Sequence, residues 1–104
     1  MGISRLRGEY DEIAAAGSTQ ATATEMPAYT VTVTSGTGGV LLPPLNKDEE
    51  AIVCNGMSAV EIFVYPRSGG QINNSTADYG LLLPPNTAAR FRAINGVGKV
   101  LAFF

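Results

Sequence analysis

The sequence predicts an all-β chain: a single small antiparallel β-sandwich, jelly-roll-like, of roughly seven to eight short strands with an N-terminal arm or short helix. Three observations predict it. From Tyr29 onward apolar and polar residues alternate with a period of two, the pattern of half-buried strands. Turn punctuation recurs at short intervals, as Pro43-Pro44 and Pro84-Pro85 and as Asn55-Gly56 and Asn95-Gly96. The same unit is also written twice. Gly39-Val40-Leu41-Leu42-Pro43-Pro44 returns as Gly80-Leu81-Leu82-Leu83-Pro84-Pro85, an offset of 80 − 39 = 41. The segment Asn55 to Phe63 returns as Asn95 to Phe103, an offset of 95 − 55 = 40.

Length and charge bound the rest. A chain of 104 residues is one domain. Residues 1–27 read as an N-terminal arm or linker, with a short helix over 3–16 as one option, and residues 28–104 as the sandwich. The formal charge is −2 and the basic residues are few and scattered, so no nucleic-acid partner is expected. No apolar run reaches the length that crosses a bilayer, so no membrane partner is expected either. The first residues lack the apolar stretch of a secretory signal. One cysteine, Cys54, cannot form an internal disulfide, which fits a reducing cytoplasm. It stands in an apolar strand and reads as a small buried apolar group. Histidine is absent, which excludes Ser-His and Cys-His nucleophile pairs and imidazole metal sites. Catalytic, cofactor-binding and metal-binding residues are therefore expected to be none, and the protein is expected not to be an enzyme.

Taken in order, Ile3, Leu6, Tyr10 and Ile13 recur at helical spacing, and Ala14, Ala15 and Ala16 are strong helix formers. Gly17 suits a C-terminal stop, while Gly8 weakens the helix by about 1 kcal/mol relative to alanine. A helix packed on its own sandwich, a frayed tail and an arm ordering on a partner all stay open. Ser18 to Glu25 is small and polar and reads as an extended linker or strap. Tyr29, Val31 and Val33 alternate with Thr30, Thr32 and Thr34 to make the first strand. Ser35 to Gly39 is a turn, and Val40 to Leu42 a strand that Pro43-Pro44 ends by removing two backbone donors. Asn46 to Glu50 is a charged loop. Ala51 to Cys54 and Ala59 to Tyr65 are strands joined by Asn55-Gly56, the strongest short hairpin signal. Pro66 stops the latter, Ser68-Gly69-Gly70 turns the chain, and Gln71 to Asn73 forms a short edge strand. The second copy then gives strands at Tyr79 to Leu83, Ala88 to Ile94 and Lys99 to Phe104.

Several clusters could carry chemistry, and each has a plainer explanation. Asp48-Glu49-Glu50 offers carboxylates, but glycoside hydrolysis needs facing groups across a cleft, and a solvated loop suffices. Arg67 before Ser68-Gly69-Gly70 could cradle an anion, yet no strand-to-helix transition follows and a turn explains it. Arg90 and Arg92 flank Phe91, a spacing that can stack bases but that outward arginines around an inward phenylalanine also give. On an edge strand they would discourage unwanted pairing.

The ordered run Gly39-Val40-Leu41-Leu42-Pro43, Asn55-Gly56, Val64-Tyr65-Pro66, Gly69-Gly70-Gln71-Ile72-Asn73 and Leu81-Leu82-Leu83-Pro84 resembles a small β-sandwich module of tailed-bacteriophage virion proteins. Capsid decoration, cement and head-fibre proteins are its members. The resemblance implies a non-enzymatic virion component without a cofactor, a capsid decoration or cement subunit that stabilises the shell. It would be assembled in the bacterial host cytoplasm. The implied partners are the major capsid protein or another virion protein, with a homo-oligomer, a trimer above all, presenting several contacts at once. The alternative it leaves is a receptor- or carbohydrate-binding module of a phage tail or head fibre. The candidate capsid contact is the apolar side Ile3, Leu6, Tyr10 and Ile13, with Arg5 and Arg7 beside it.

Overall fold

A computed structural model of the chain describes residues 10–96 and 98–104. Ten strands are formed among the described residues, with no helix. They are β1 (Tyr10–Ala15), β2 (Thr24–Glu25), β3 (Thr30–Gly36), β4 (Gly38–Leu41), β5 (Glu50–Asn55), β6 (Ile62–Tyr65), β7 (Gln71–Ile72), β8 (Leu81–Leu83), β9 (Thr87–Ala93) and β10 (Lys99–Phe103). One sheet has the order β1-β3-β5-β9-β10-β7 and the other β2-β4-β6-β8. The fold is all-β, two mixed sheets packed as a small sandwich.

Alternation does the work that the sequence assigns to it. Val31 and Val33 of β3, Ala51 and Val53 of β5, and Ala89, Phe91 and Ala93 of β9 are buried. They meet Val40 and Leu42 at the end of β4, Ile62 and Val64 of β6, and Leu83 of β8. Each of these positions is separated by two along its strand, so one face enters the core and the other leaves it. Burying these side chains is the main stabilising contribution, roughly 1.5–3 kcal/mol for each large one.

The antiparallel expectation is corrected. Only β5–β9, β6–β8 and β9–β10 run antiparallel, whereas β1–β3, β3–β5, β2–β4, β4–β6 and β7–β10 are parallel. The cause lies in the path of the chain. From β1 to β9 consecutive strands alternate between the two sheets. A strand in one sheet serves as the crossover between neighbours in the other, and next-but-one strands such as β1, β3 and β5 run the same way.

The helix option over 3–16 is also corrected for the described part. Tyr10–Ala15 is an edge strand in parallel register with β3, pairing Tyr10 with Thr30 and Ile13 with Val33 before a bulge. Ala15 enters the core and Ile13 packs against it. Alanine's helix preference amounts to only tenths of a kcal/mol per residue, less than a sheet edge and a buried face supply. Residues 3–9 lie outside the described part. The strap is not an open linker: Thr22 N and Ala23 N both donate to Thr19 O, at 3.1 and 3.0 Å, closing a turn before β2.

Asn55-Gly56 does not make a hairpin. β5 and β6 lie in different sheets, and the chain passes from one to the other at this point. Asn95-Gly96 does sit between paired neighbours, β9 and β10. Identical dipeptides therefore have two structural outcomes.

Candidate contact surface

The sequence-derived contact residues divide. Ile3, Arg5, Leu6 and Arg7 lie outside the described residues. Tyr10 opens β1, and Ile13, three residues on, is partly buried against the core of its own domain. Ile13 thus packs against its own sandwich while remaining partly exposed.

The acidic trio is tied to the frame of its loop. Arg92 reaches Asp48 and Glu50, each at 3.4 Å, while Glu49 Oε1 accepts from Asn46 N at 2.7 Å. Asp48 N donates to Ala93 O at 2.8 Å and Ala93 N to Glu49 O at 2.9 Å. The two backbone bonds, with the Asp48 and Glu50 carboxylates on Arg92, hold the loop against β9, while the Glu49 carboxylate closes the loop on itself. The arginines of β9 do not guard an edge: β9 lies between β5 and β10, so that expectation is corrected. They point outward around fully buried Phe91, and Arg90 stands over the Phe103 ring at 5.6 Å. Cys54 is half-buried on the same outer face, opposite Thr32 and Ala88, where full burial was expected. Its strand alternates Ala51, Val53 and Asn55 inward, which forces position 54 outward.

The outer face of the smaller sheet carries a feature that the sequence did not reveal. Ile62 and Val64 of β6 point inward, so Phe63 and Tyr65 point outward. Their rings stack with centroids 6.3 Å apart. Tyr65 is covered, packed with Ala23 and Leu41, and its hydroxyl donates to Ser18 O at 3.1 Å. Phe63 is not covered. It stands opposite Leu82 of β8 in the register, with the two residues 37% and 41% exposed. β8 is the edge of its sheet, so this apolar pair sits beside an open strand edge. Phe63 and Leu82 each fall at an outward position of an apolar run, a signal that becomes readable only once the β6–β8 register is known.

A cleft of about 370 Å³ opens where β4, β6 and β9 end, between Pro43 to Asn46 on one side and Arg67 with the β9–β10 turn on the other. Compared with known proteins, the chain matches no family model, no curated protein and no solved structure.

Proposed function

We propose that the chain is a bacteriophage virion structural protein, a capsid decoration or cement subunit that binds the shell as a homo-oligomer, trimeric in the first instance. The observation that carries the reading is the Phe63–Leu82 pair on an outer sheet face beside the unpaired edge of β8. Exposed apolar side chains next to free strand edges favour association with other chains. The residue order that resembles virion sandwich modules supplies the particle. The jelly-roll-like classification belongs to this proposal as well, with the parallel rungs β1 to β6 as this chain's departure from it.

The anchor in this reading is the segment that precedes β1, with Ile3 and Leu6 as apolar contacts and Arg5 and Arg7 as charged ones. The sandwich is the body that it tethers. Modest contacts suffice on a symmetric shell, because an oligomer engages several sites together.

The test is co-sedimentation with capsids of the encoding phage, using the full chain and a chain lacking residues 1–9. The full chain is expected to saturate capsids, and the shortened one to remain folded but unbound. Equal saturation by both would remove the anchor, and failure of the full chain to bind any virion component would remove the reading. Binding of the isolated protein to glycans in place of capsids would favour the receptor-binding alternative.

A further inference from the structure

The cleft at the strand ends has a chemistry of its own. β4 and β6 are parallel, so Leu42 to Asn46 and Pro66 to Ser68 emerge at the same end of the sandwich. Both walls are fixed by backbone bonds. Leu42 N donates to Tyr65 O at 3.0 Å, and Gly70 N closes the turn on Arg67 O at 2.7 Å. Gly69, at φ 82°, gives that turn its left-handed residue and donates to Asp78 Oδ1 at 2.6 Å. Gly70 abuts Gly98 so closely that a Cβ on Gly70 would overlap Gly98 O, which binds the turn to the β9–β10 connection. A pocket whose walls are set before ligand arrives loses little entropy on binding.

Arg67 is the one charged residue lining this cleft among the described residues. It is half-buried, and Nη1 donates to Leu42 O at a long 3.4 Å. Both ion pairs formed among the described residues belong to Arg92, so Arg67 has no carboxylate partner there. A guanidinium carries five N–H donors, and one long bond leaves most of them available. A half-buried cation is less hydrated than a free one, so an anion in the cleft would meet a charge that water screens less. The lining is mixed: Pro44, Leu45, Pro66 and Val100 supply apolar surface, and Asn46 and Ser68 polar groups.

We propose that this cleft binds a small monocarboxylate with an apolar tail, its carboxylate on Arg67 and its tail along the proline wall. The planar fork of arginine matches a carboxylate in two parallel bonds. A single cation matches a single negative charge, whereas a phosphate dianion would be left half neutralised. The volume lies within the roughly 300–1,000 Å³ typical of small-ligand pockets.

The test is an amide-resonance titration of the full, isotope-labelled chain at constant ionic strength with three probes: hexanoate, hexanamide and inorganic phosphate. Hexanoate is expected to shift Asn46, Ser68, Gly70 and Gly98 in one saturable process, with hexanamide at least about tenfold weaker. Arg67→Gln is expected to abolish the shifts, Arg67→Lys to weaken them, and Arg92→Gln to leave them intact. No localised shift by about 10 mM hexanoate, a limit corresponding to barely measurable affinity, would overturn the proposal. So would equal shifts from hexanamide, binding retained by Arg67→Gln, or phosphate binding as tightly as hexanoate. Should Arg67→Gln lose its spectral dispersion, the acid-against-amide comparison on the unaltered chain decides alone.

Discussion

Gly39 and Gly80, equivalent positions of the duplicated Gly-x-Leu-Leu-Pro-Pro unit, flank the Tyr65 ring from opposite edges. A Cβ on Gly39 would overlap Tyr65 Cε2, and one on Gly80 would stand 2.8 Å from Cε1. The sheet order explains it: β6 lies between β4 and β8, so both copies present their first residue to the same aromatic ring. The repeated glycine is thus a packing requirement set by one tyrosine. Gly39→Ala and Gly80→Ala are each expected to destabilise the fold by about 1–3 kcal/mol, the usual cost of overpacking. In a Tyr65→Ala background most of that cost disappears, and a double-mutant cycle by urea denaturation measures it. Additive costs would show that the ring is not what the glycines accommodate.

Asn55 is the polar residue of the core, 2% exposed. Its Nδ2 donates to Val60 O at 2.8 Å, Leu83 O at 3.1 Å and Pro84 O at 3.2 Å, and its Oδ1 accepts from Met57 N at 3.1 Å. One amide thereby joins the β5–β6 crossing to the end of β8. Asn55→Ala removes the donor from the buried Leu83 carbonyl and from two partly buried ones, and is expected to cost roughly 2–4 kcal/mol. Asn55→Asp is expected to cost more at neutral pH, since a carboxylate would face three carbonyl oxygens with no donor to offer. Chemical denaturation of the two variants checks the order. Equal stability of Asn55→Asp and the unaltered chain would contradict the hydrogen-bond pattern.

Phe91 and Arg92 are adjacent on β9 and belong to opposite faces. Phe91 is fully buried, so Phe91→Ala is expected to cost about 3–5 kcal/mol. Arg92 pairs with Asp48 and Glu50 at 3.4 Å, but its side chain is 45% exposed. Arg92→Ala is expected to cost no more than about 1 kcal/mol, shrinking as salt is added. Thermal unfolding at low and high salt separates the two effects. A salt-independent loss at Arg92 would assign it a packing role.

Sequence patterns of period two located β3, β5 and β9, because half-buried strands must alternate whatever their partners. Pro-Pro marked the ends of β4 and β8 for an equally local reason, the missing backbone donors. Partner choice was not legible. Asn55-Gly56 crosses to the other sheet, and there the Asn55 amide bonds carbonyls of Leu83 and Pro84, nearly thirty residues away, partners that no local pattern names. The β1 segment misled through its alanines, which suit a helix in isolation and a tightly packed edge in context. The Phe63–Leu82 pair was hidden for the same reason, since it exists only through register.

The first twenty-seven residues read as an arm or linker in sequence, and the pairings observed for Tyr10 onward bear on what their removal should do. β1 covers the edge of β3, and β2 covers the edge of β4. Ala15, Ala23 and Met26 are buried, and Ala16 exchanges hydrogen bonds with Gly39, from Ala16 N to Gly39 O at 3.2 Å and from Gly39 N to Ala16 O at 3.3 Å. A chain beginning at residue 28 would lose these side chains from the core and expose two bare strand edges at once. It is expected to be destabilised by several kcal/mol, since deleting the Met26 side chain alone costs about 2–5 kcal/mol, and to aggregate where the full chain stays dispersed. A chain beginning at Tyr10 keeps every strand formed among the described residues and is expected to retain cooperative unfolding. Size-exclusion chromatography with denaturant melts of the two truncations distinguishes them. A monodisperse, cooperatively folded 28–104 fragment of undiminished stability would show that β1 and β2 are appended to the sandwich and are not part of it.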